Sequence, residues 1–106
     1  MSRSDDERVA DIIDAAHELA SVVQVGIGEF RTSILRLRAT ERLLEIIGEA
    51  SGSLSDEFKQ AHPGVAWREV TALRILLAHH YHRIDPDQVW EIATASVPDL
   101  VRQLNG

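Results

Sequence analysis

The residues best equipped for chemistry lie in one short run, Arg74-Ile75-Leu76-Leu77-Ala78-His79-His80-Tyr81. Four residues separate Arg74 from His79, and Tyr81 stands two positions further on. A guanidinium is a fixed, permanently charged fork that matches phosphate oxygens in pairs and holds them harder as charge develops. An imidazole, with an unperturbed pKa of about 6.5, gives or takes a proton near neutrality. Together they suit proton transfer on an anionic phosphoester, and Tyr81 could orient that group or hydrogen-bond His79. The same residues also fit a plainer role: a salt-bridged Arg, a helix-terminal His and a buried aromatic. His80 is expected to face solvent or an interface. His79 and His82 sit one turn apart and could share a metal. Zinc asks for three or four ligands, however, and no acidic or His partner stands at a diagnostic spacing. No metal and no cofactor are therefore expected.

Helical geometry constrains such a site. At roughly 100° per residue, Arg74 and Tyr81 share a face, while His79 falls about 140° from Arg74. A straight helix cannot aim both at one phosphate. Either the helix is distorted or ends near Ala78, or two copies complete the site across a dimer axis; the dimer is the expectation. A second set of charged residues, Arg31, Arg38, Arg42, Glu45 and Glu49, falls along one stripe of an earlier helix. One reading is a solvated face of i,i+3 and i,i+4 pairs, each worth a few tenths of a kcal/mol. The other is that Glu45 or Glu49 packs beside the later helix and orients Arg74.

The elements that must position these groups are all helical. Ser4-Asp5-Asp6-Glu7 reads as a capping box, followed by Val9, Ile12, Ile13, Ala16, Leu19, Ala20 and Val23 at helical spacing. A turn is expected at Gly26 and Gly28. A longer helix should run from about Phe30 to Ser51, with Leu35, Ala39, Leu43, Ile46, Ile47 and Ala50 as its apolar stripe. Gly48 within it costs about 1 kcal/mol relative to Ala; it could let another helix approach closely, and a tolerated weak point is the equal alternative. A short helix begins near Ser53 and must stop before Pro63-Gly64. The next spans about 66–82, carrying Trp67, Val70, Leu73, Leu77 and Tyr81 along one side. Asp85-Pro86-Asp87-Gln88 opens the last, with Asp85 as N-cap, Pro86 at the first position and Gln88 reaching back. Pro98 should kink or break it. Trp67 and Trp90 are expected as core or interface anchors, with base stacking as the alternative. The expectation is a single all-α domain over 1–106, an antiparallel bundle of about five helices with short connections.

Composition is consistent with this. At 106 residues there is room for one modest core, and 44% hydrophobic with 26% charged residues is ordinary globular composition. No apolar run approaches the ~20 residues of a membrane span, the polar N-terminus lacks a signal-peptide core, and there is no cysteine. A cytoplasmic, membrane-free protein is expected. The net charge of −6 argues mildly against a general nucleic-acid coat, whose affinity comes from phosphate neutralisation, but leaves room for a local basic site.

Three blocks in order carry a resemblance: Leu44-Glu45-Ile46-Ile47-Gly48-Glu49-Ala50; Pro63 with Trp67-Arg68-Glu69-Val70; and Arg74 to Tyr81, followed by Ile84-Asp85, Val89-Trp90 and Val97-Pro98-Asp99-Leu100. From about Asp11 to Leu104 the chain resembles the HepT-like branch of the HEPN superfamily. The resemblance implies a helical bundle forming a two-fold dimer, an R-x4-H-x-Y signature and metal-independent RNA cleavage. It also implies a minimal nucleotidyltransferase antitoxin as partner, able to transfer AMP to the signature tyrosine. Carried over, Arg74 and His79 are the catalytic pair and Tyr81 the modification site. The chemistry is coherent, because RNA brings its own nucleophile, the 2′-OH, and a cyclic 2′,3′-phosphate is the expected product. One position departs from the pattern: Ile75 stands where the family usually has a polar residue, most often Asn. Three functions follow as expectations: a ribonuclease toxin held by its antitoxin; a HEPN domain that has lost catalysis and serves as binding partner of the transferase; or a dimerisation unit with Gly48, Ala50, Trp90 and Leu100 as contacts.

Overall fold

Local chemistry at the start of the chain sets its first helix. The Ser4 hydroxyl accepts from the Glu7 backbone N–H at 3.1 Å, and the Glu7 carboxylate accepts from the Ser4 N–H at 3.1 Å. This reciprocal cap satisfies two donors that a helix start leaves orphaned and opens α1, Asp5–Val23. The computed structural model describes residues 4–79 and 85–105, with Ile75, Leu76, Ala78 and His79 as backbone only. Every regular element among the described residues is helical.

After α1 the chain differs from the expected single long helix. Gly26, at φ 89°, takes a left-handed conformation that a side chain would resist, and a short α2, Ile27–Thr32, follows. Ser33 then interrupts: its extended backbone ends α2, and its side chain accepts from the Arg36 N–H to cap α3, Ile34–Gly52. The interruption turns Phe30 into the core, where it is fully buried and meets Trp90 with ring centroids 5.2 Å apart. It also leaves Leu35, expected in the apolar stripe of α3, 80% exposed. Ser55 caps α4, Asp56–Ala61, and α5 runs Trp67–His79. The expected continuation of α5 to His82 lies outside the described residues.

The last helix starts with the expected Asp85 cap and Pro86, while the expected reach of Gln88 back to the cap is not seen among the described residues. The Asp85 carboxylate accepts from the Asp87 N–H at 2.9 Å, and Pro86 follows at the first position of α6, Pro86–Glu91. Of the kink or break expected at Pro98, the break does not occur, and the helix is instead distorted just before the proline. A π-helical turn, Ile92–Ser96, carries the chain into α7, Val97–Asn105. Across this turn the Val97 N–H reaches back five residues to the Ile92 carbonyl, and the Thr94 hydroxyl donates to the Trp90 carbonyl at 2.8 Å. The wider turn gives the proline ring space that a regular α-turn would deny it.

Helix α3 packs between α1 and α5, while α7 and the π turn close over α1. The core is shared: Ile12 and Leu19 from α1, Leu44 and Ile47 from α3, Leu77 from α5, and Val89, Ala93 and Leu100 from the last helix. Among the described residues, no helix is long and apolar enough to cross a membrane.

Candidate active site

Two glycines bring α5 against α3. A Cβ placed on Gly48 would stand 3.0 Å from the Arg74 backbone nitrogen, 3.3 Å from the Val70 carbonyl oxygen and 3.4 Å from the Arg74 Cβ. One turn later, a Cβ on Gly52 would stand 3.0 Å from the Thr71 Cγ2. Of the two readings of Gly48, close approach is the one realised, and it falls at Arg74. Arg74 thus leaves α5 from a backbone held against α3, and its side chain is exposed.

The N-terminal end of α5 is anchored separately. The Trp67 indole N–H donates to the Lys59 carbonyl at 3.2 Å and to the His62 carbonyl at 3.1 Å. The Trp67 ring also meets Phe58 edge-on at 6.1 Å, and Phe58 stacks on His62 at 4.3 Å. The start of α6 is tied across the molecule, where Arg31 Nε donates to Asp87 Oδ1 at 2.7 Å over 56 residues of sequence. That pair holds the Arg31 guanidinium above its ordinary pKa, through the hydrogen bond first and the charge of Asp87 second.

Arg74 differs in its pairing from several other surface arginines. Arg31, Arg38, Arg42 and Arg102 each hold a carboxylate partner. Arg74 holds none among the described residues, so its charge is uncompensated by protein there. Glu45 pairs with Arg42 at 3.1 Å. Glu49 is exposed and borders a shallow groove with Arg8, Asp11 and Ile46, on the α1 side of α3. The backbone of α5 stays helical through His79, which keeps positions 74 and 79 about 140° apart around its axis. The His79 side chain, and His80, Tyr81 and His82 entirely, lie outside the described residues, as does the side chain of Ile75. Among the described residues no three His, Asp or Glu side chains converge as a metal site would require.

Sequence reasoning missed a groove of about 400 Å³ between α5 and the last helix. Val70, Leu73, Ile92 and Leu100 give it an apolar floor, with Glu69, Gln88, Asp99 and Gln103 around it. Its far wall is the π turn, which periodicity along the chain does not announce.

The sequence profile described as "Ribonuclease HepT-like" matches residues 12–105. The chain belongs to the HepT-like ribonuclease family. That HepT-like match takes in both glycines of α3, the whole of α5 and the R-x4-H-x-Y residues. Among similar proteins, one from Methanocaldococcus jannaschii named as RNase MJ1380 is 33% identical over 95 residues, covering 89% of this chain and 87% of its own. A Thermococcus cleftensis protein named as ribonuclease HepT is 32% identical over 101 residues, covering 94% and 92%. A Caldanaerobacter subterraneus protein named as RNase TTE0752 is 39% identical over 67 residues, covering 63% and 60%. No solved structure matches this HepT-like chain significantly.

Proposed function

We propose that this chain is the toxin of a HepT/MntA-like toxin–antitoxin pair, an endoribonuclease that cleaves tRNA or mRNA without metal. The observation that supports it most is the family match across 12–105, with Arg74 exposed and holding no carboxylate partner among the described residues. An unpaired surface guanidinium keeps its full capacity for phosphate, whereas one already bridged would have to give up a partner. In this reading His79 takes the proton from a ribose 2′-OH, and the 2′-oxygen attacks the adjacent phosphorus. The 5′-oxygen leaves with a proton, and a cyclic 2′,3′-phosphate remains. Arg74 stabilises the charge that builds on the phosphate oxygens. The ~140° offset between positions 74 and 79 favours a homodimer, in which Arg74 of one copy and His79 of the other share a cleft and the second His79 returns the proton. A minimal nucleotidyltransferase antitoxin binds the toxin, in a hetero-oligomer, and transfers AMP to the Tyr81 hydroxyl, blocking the cleft. Glu45 and His80 act as supporting groups around it, whereas Glu49, expected beside Arg74, borders the groove on the α1 side of α3 instead.

One residue favours a second reading. Ile75 cannot supply the hydrogen bond that a polar neighbour of Arg74 would give to phosphate or ribose, which suits a domain that binds RNA or the transferase without cleaving. Cleavage of total tRNA by purified protein in excess EDTA, beside His79→Ala and Ile75→Asn, separates the two. The toxin reading expects cleavage by the native chain and none by His79→Ala. Cleavage by Ile75→Asn alone would establish the binding module, and silence in all three would remove the enzyme.

A further inference from the structure

Arg68 opens the outward face of α5. At about 100° per residue, positions 68, 72, 75 and 79 fall within about 60° of arc, on the side opposite Val70, Leu73 and Leu77, which turn inward. Arg68 and Ala72 are exposed. Arg68, like Arg74, holds no carboxylate among the described residues, whereas Arg31, Arg38, Arg42 and Arg102 each hold one. Arg74 stands about 120° away, on the side where α3 packs, so the two are separate cations on one helix. Glu69 lies about 100° round from Arg68 and borders the groove beside the last helix, which leaves no carboxylate on the outward face. The Trp67 indole, bonded to the Lys59 and His62 carbonyls, fixes the turn from which Arg68 projects. A cation in the first turn of a helix runs against the helix dipole, so Arg68 brings α5 no stability of its own.

We propose that Arg68 is a substrate-positioning residue, holding an RNA phosphate a few nucleotides away from the one that is cleaved. The proposal rests on the reading above, in which His79 acts on the ribose 2′-OH. Positions 68 and 79 are eleven residues apart, about 16 Å along the helix axis, and they share a face. A strand that brings its 2′-OH to position 79 and continues along that face reaches Arg68 within a few nucleotides. Between them stand Ala72 and Ile75, residue types that neither attract nor repel phosphate, and Ala72 is short enough to let the strand lie close. Arg74, on another side of the helix, is left for the scissile phosphate. Contacts to phosphate set register and orientation without reading sequence, and a guanidinium with no protein partner to give up is suited to making one. This grip also offsets Ile75, because it fixes the strand that a polar neighbour of Arg74 would otherwise help to hold.

Cleavage of total tRNA by the full chain, and binding of the same tRNA by the His79→Ala chain, test it together. Arg68→Ala should raise KM on the order of tenfold and leave kcat near native, the mark of a contact made equally before and during the reaction. Arg68→Lys should recover most of the loss, since it keeps the charge. Added to His79→Ala, Arg68→Ala should weaken binding by the same order and lower the slope of log Kd against log salt by about one. Arg102→Ala, which removes an arginine already paired with Asp99, should change neither. Cleavage by the native chain with KM and salt slope indifferent to Arg68→Ala would overturn the proposal and leave the enzyme standing. A fall in kcat alone, or a loss that Arg68→Lys does not recover, would overturn it in the same way. Binding that depends on Arg68, without cleavage by the native chain, would support this contact and defeat only the catalytic reading. No binding of tRNA at all would overturn both.

Discussion

Gly48 on α3 lies against the peptide of Arg74 on α5, close enough that a methyl group at position 48 would meet the Arg74 nitrogen at 3.0 Å and the Val70 oxygen at 3.3 Å. Both neighbours are backbone atoms of one helix, so neither can swing aside. Gly48 and Arg74 are thereby parts of one contact, with the first setting the depth at which the second stands.

Gly48→Ala should therefore destabilise, although Ala gains about 1 kcal/mol of helix propensity. Overpacking of this kind costs about 1–3 kcal/mol, so the balance is a loss of about 1 kcal/mol and a lowered Tm, with Gly48→Val worse. Gly52→Ala makes the control: its new methyl would meet only the Thr71 side chain, which can change rotamer, and stability should hold or rise. A Tm raised by Gly48→Ala would show that the helices are not in contact there.

Arg31→Ala should change global stability by less than about 1 kcal/mol, because the pair with Asp87 is half exposed on both sides. Its effect should be local. Hydrogen exchange ought to speed up in the first turn of α6, where the tether ends, and leave α1 and α3 unchanged. Uniform exchange across the molecule would show that Arg31 anchors nothing.

Asp5 predicts an acid-side dependence. Its carboxylate accepts from the Ser55 backbone N–H at 3.0 Å and the Ser55 hydroxyl at 2.6 Å, and these bonds hold its pKa below the ordinary carboxylate value. A lowered folded pKa means stability that is complete above the unfolded value of about 3.9 and lost as pH falls through the folded one. Ser55→Ala should narrow the gap between the Tm at pH 6 and at pH 3, with part of its effect at pH 6 arising from the lost cap on α4. An unchanged gap would mean that the α1–α4 contact is absent in solution.

Thr40 is fully buried and its hydroxyl lacks a partner among the described residues. Thr40→Val keeps the shape and removes an unsatisfied polar atom, a change that is neutral to stabilising. We expect a gain of up to about 1 kcal/mol, or a Tm higher by several degrees. A clear loss would indicate that the hydroxyl is engaged by an ordered water.

The sequence made most of this architecture legible because its helix starts are written in local chemistry. Ser4 and Asp85 cap where their neighbours said they would, and Ser55 caps a helix expected to begin slightly earlier, near Ser53. Ser33 escaped notice because the apolar period runs on through it, and only the burial of Phe30 reveals that the backbone turned. Leu35 was misplaced for a different reason: it continues the stripe of α3 into its first turn, but there the side chain stays 80% exposed. At the candidate site, the type of Gly48 left two readings, a close approach or a tolerated weak point, and the packing of α5 against it decides for the first. The groove under the π turn could not be read at all, because a five-residue hydrogen bond leaves no mark on hydrophobic periodicity. Glu45 shows a further limit, since its neighbour Arg42 competes for it at a spacing that sequence weighs equally with any distant partner.

The π turn also bears on how this helix can change over generations. It amounts to one residue more than a regular helix would use, held in place immediately before Pro98. Deleting a residue from Ile92–Ser96 alone would restore an ordinary turn and press the proline ring onto the carbonyl four residues earlier. Replacing Pro98 alone would keep a bulge that no longer serves a purpose. The two features form a coupled pair, to be gained or lost together. Relatives without the proline should read one residue shorter here, which makes this stretch a natural place for alignments of the family to slip.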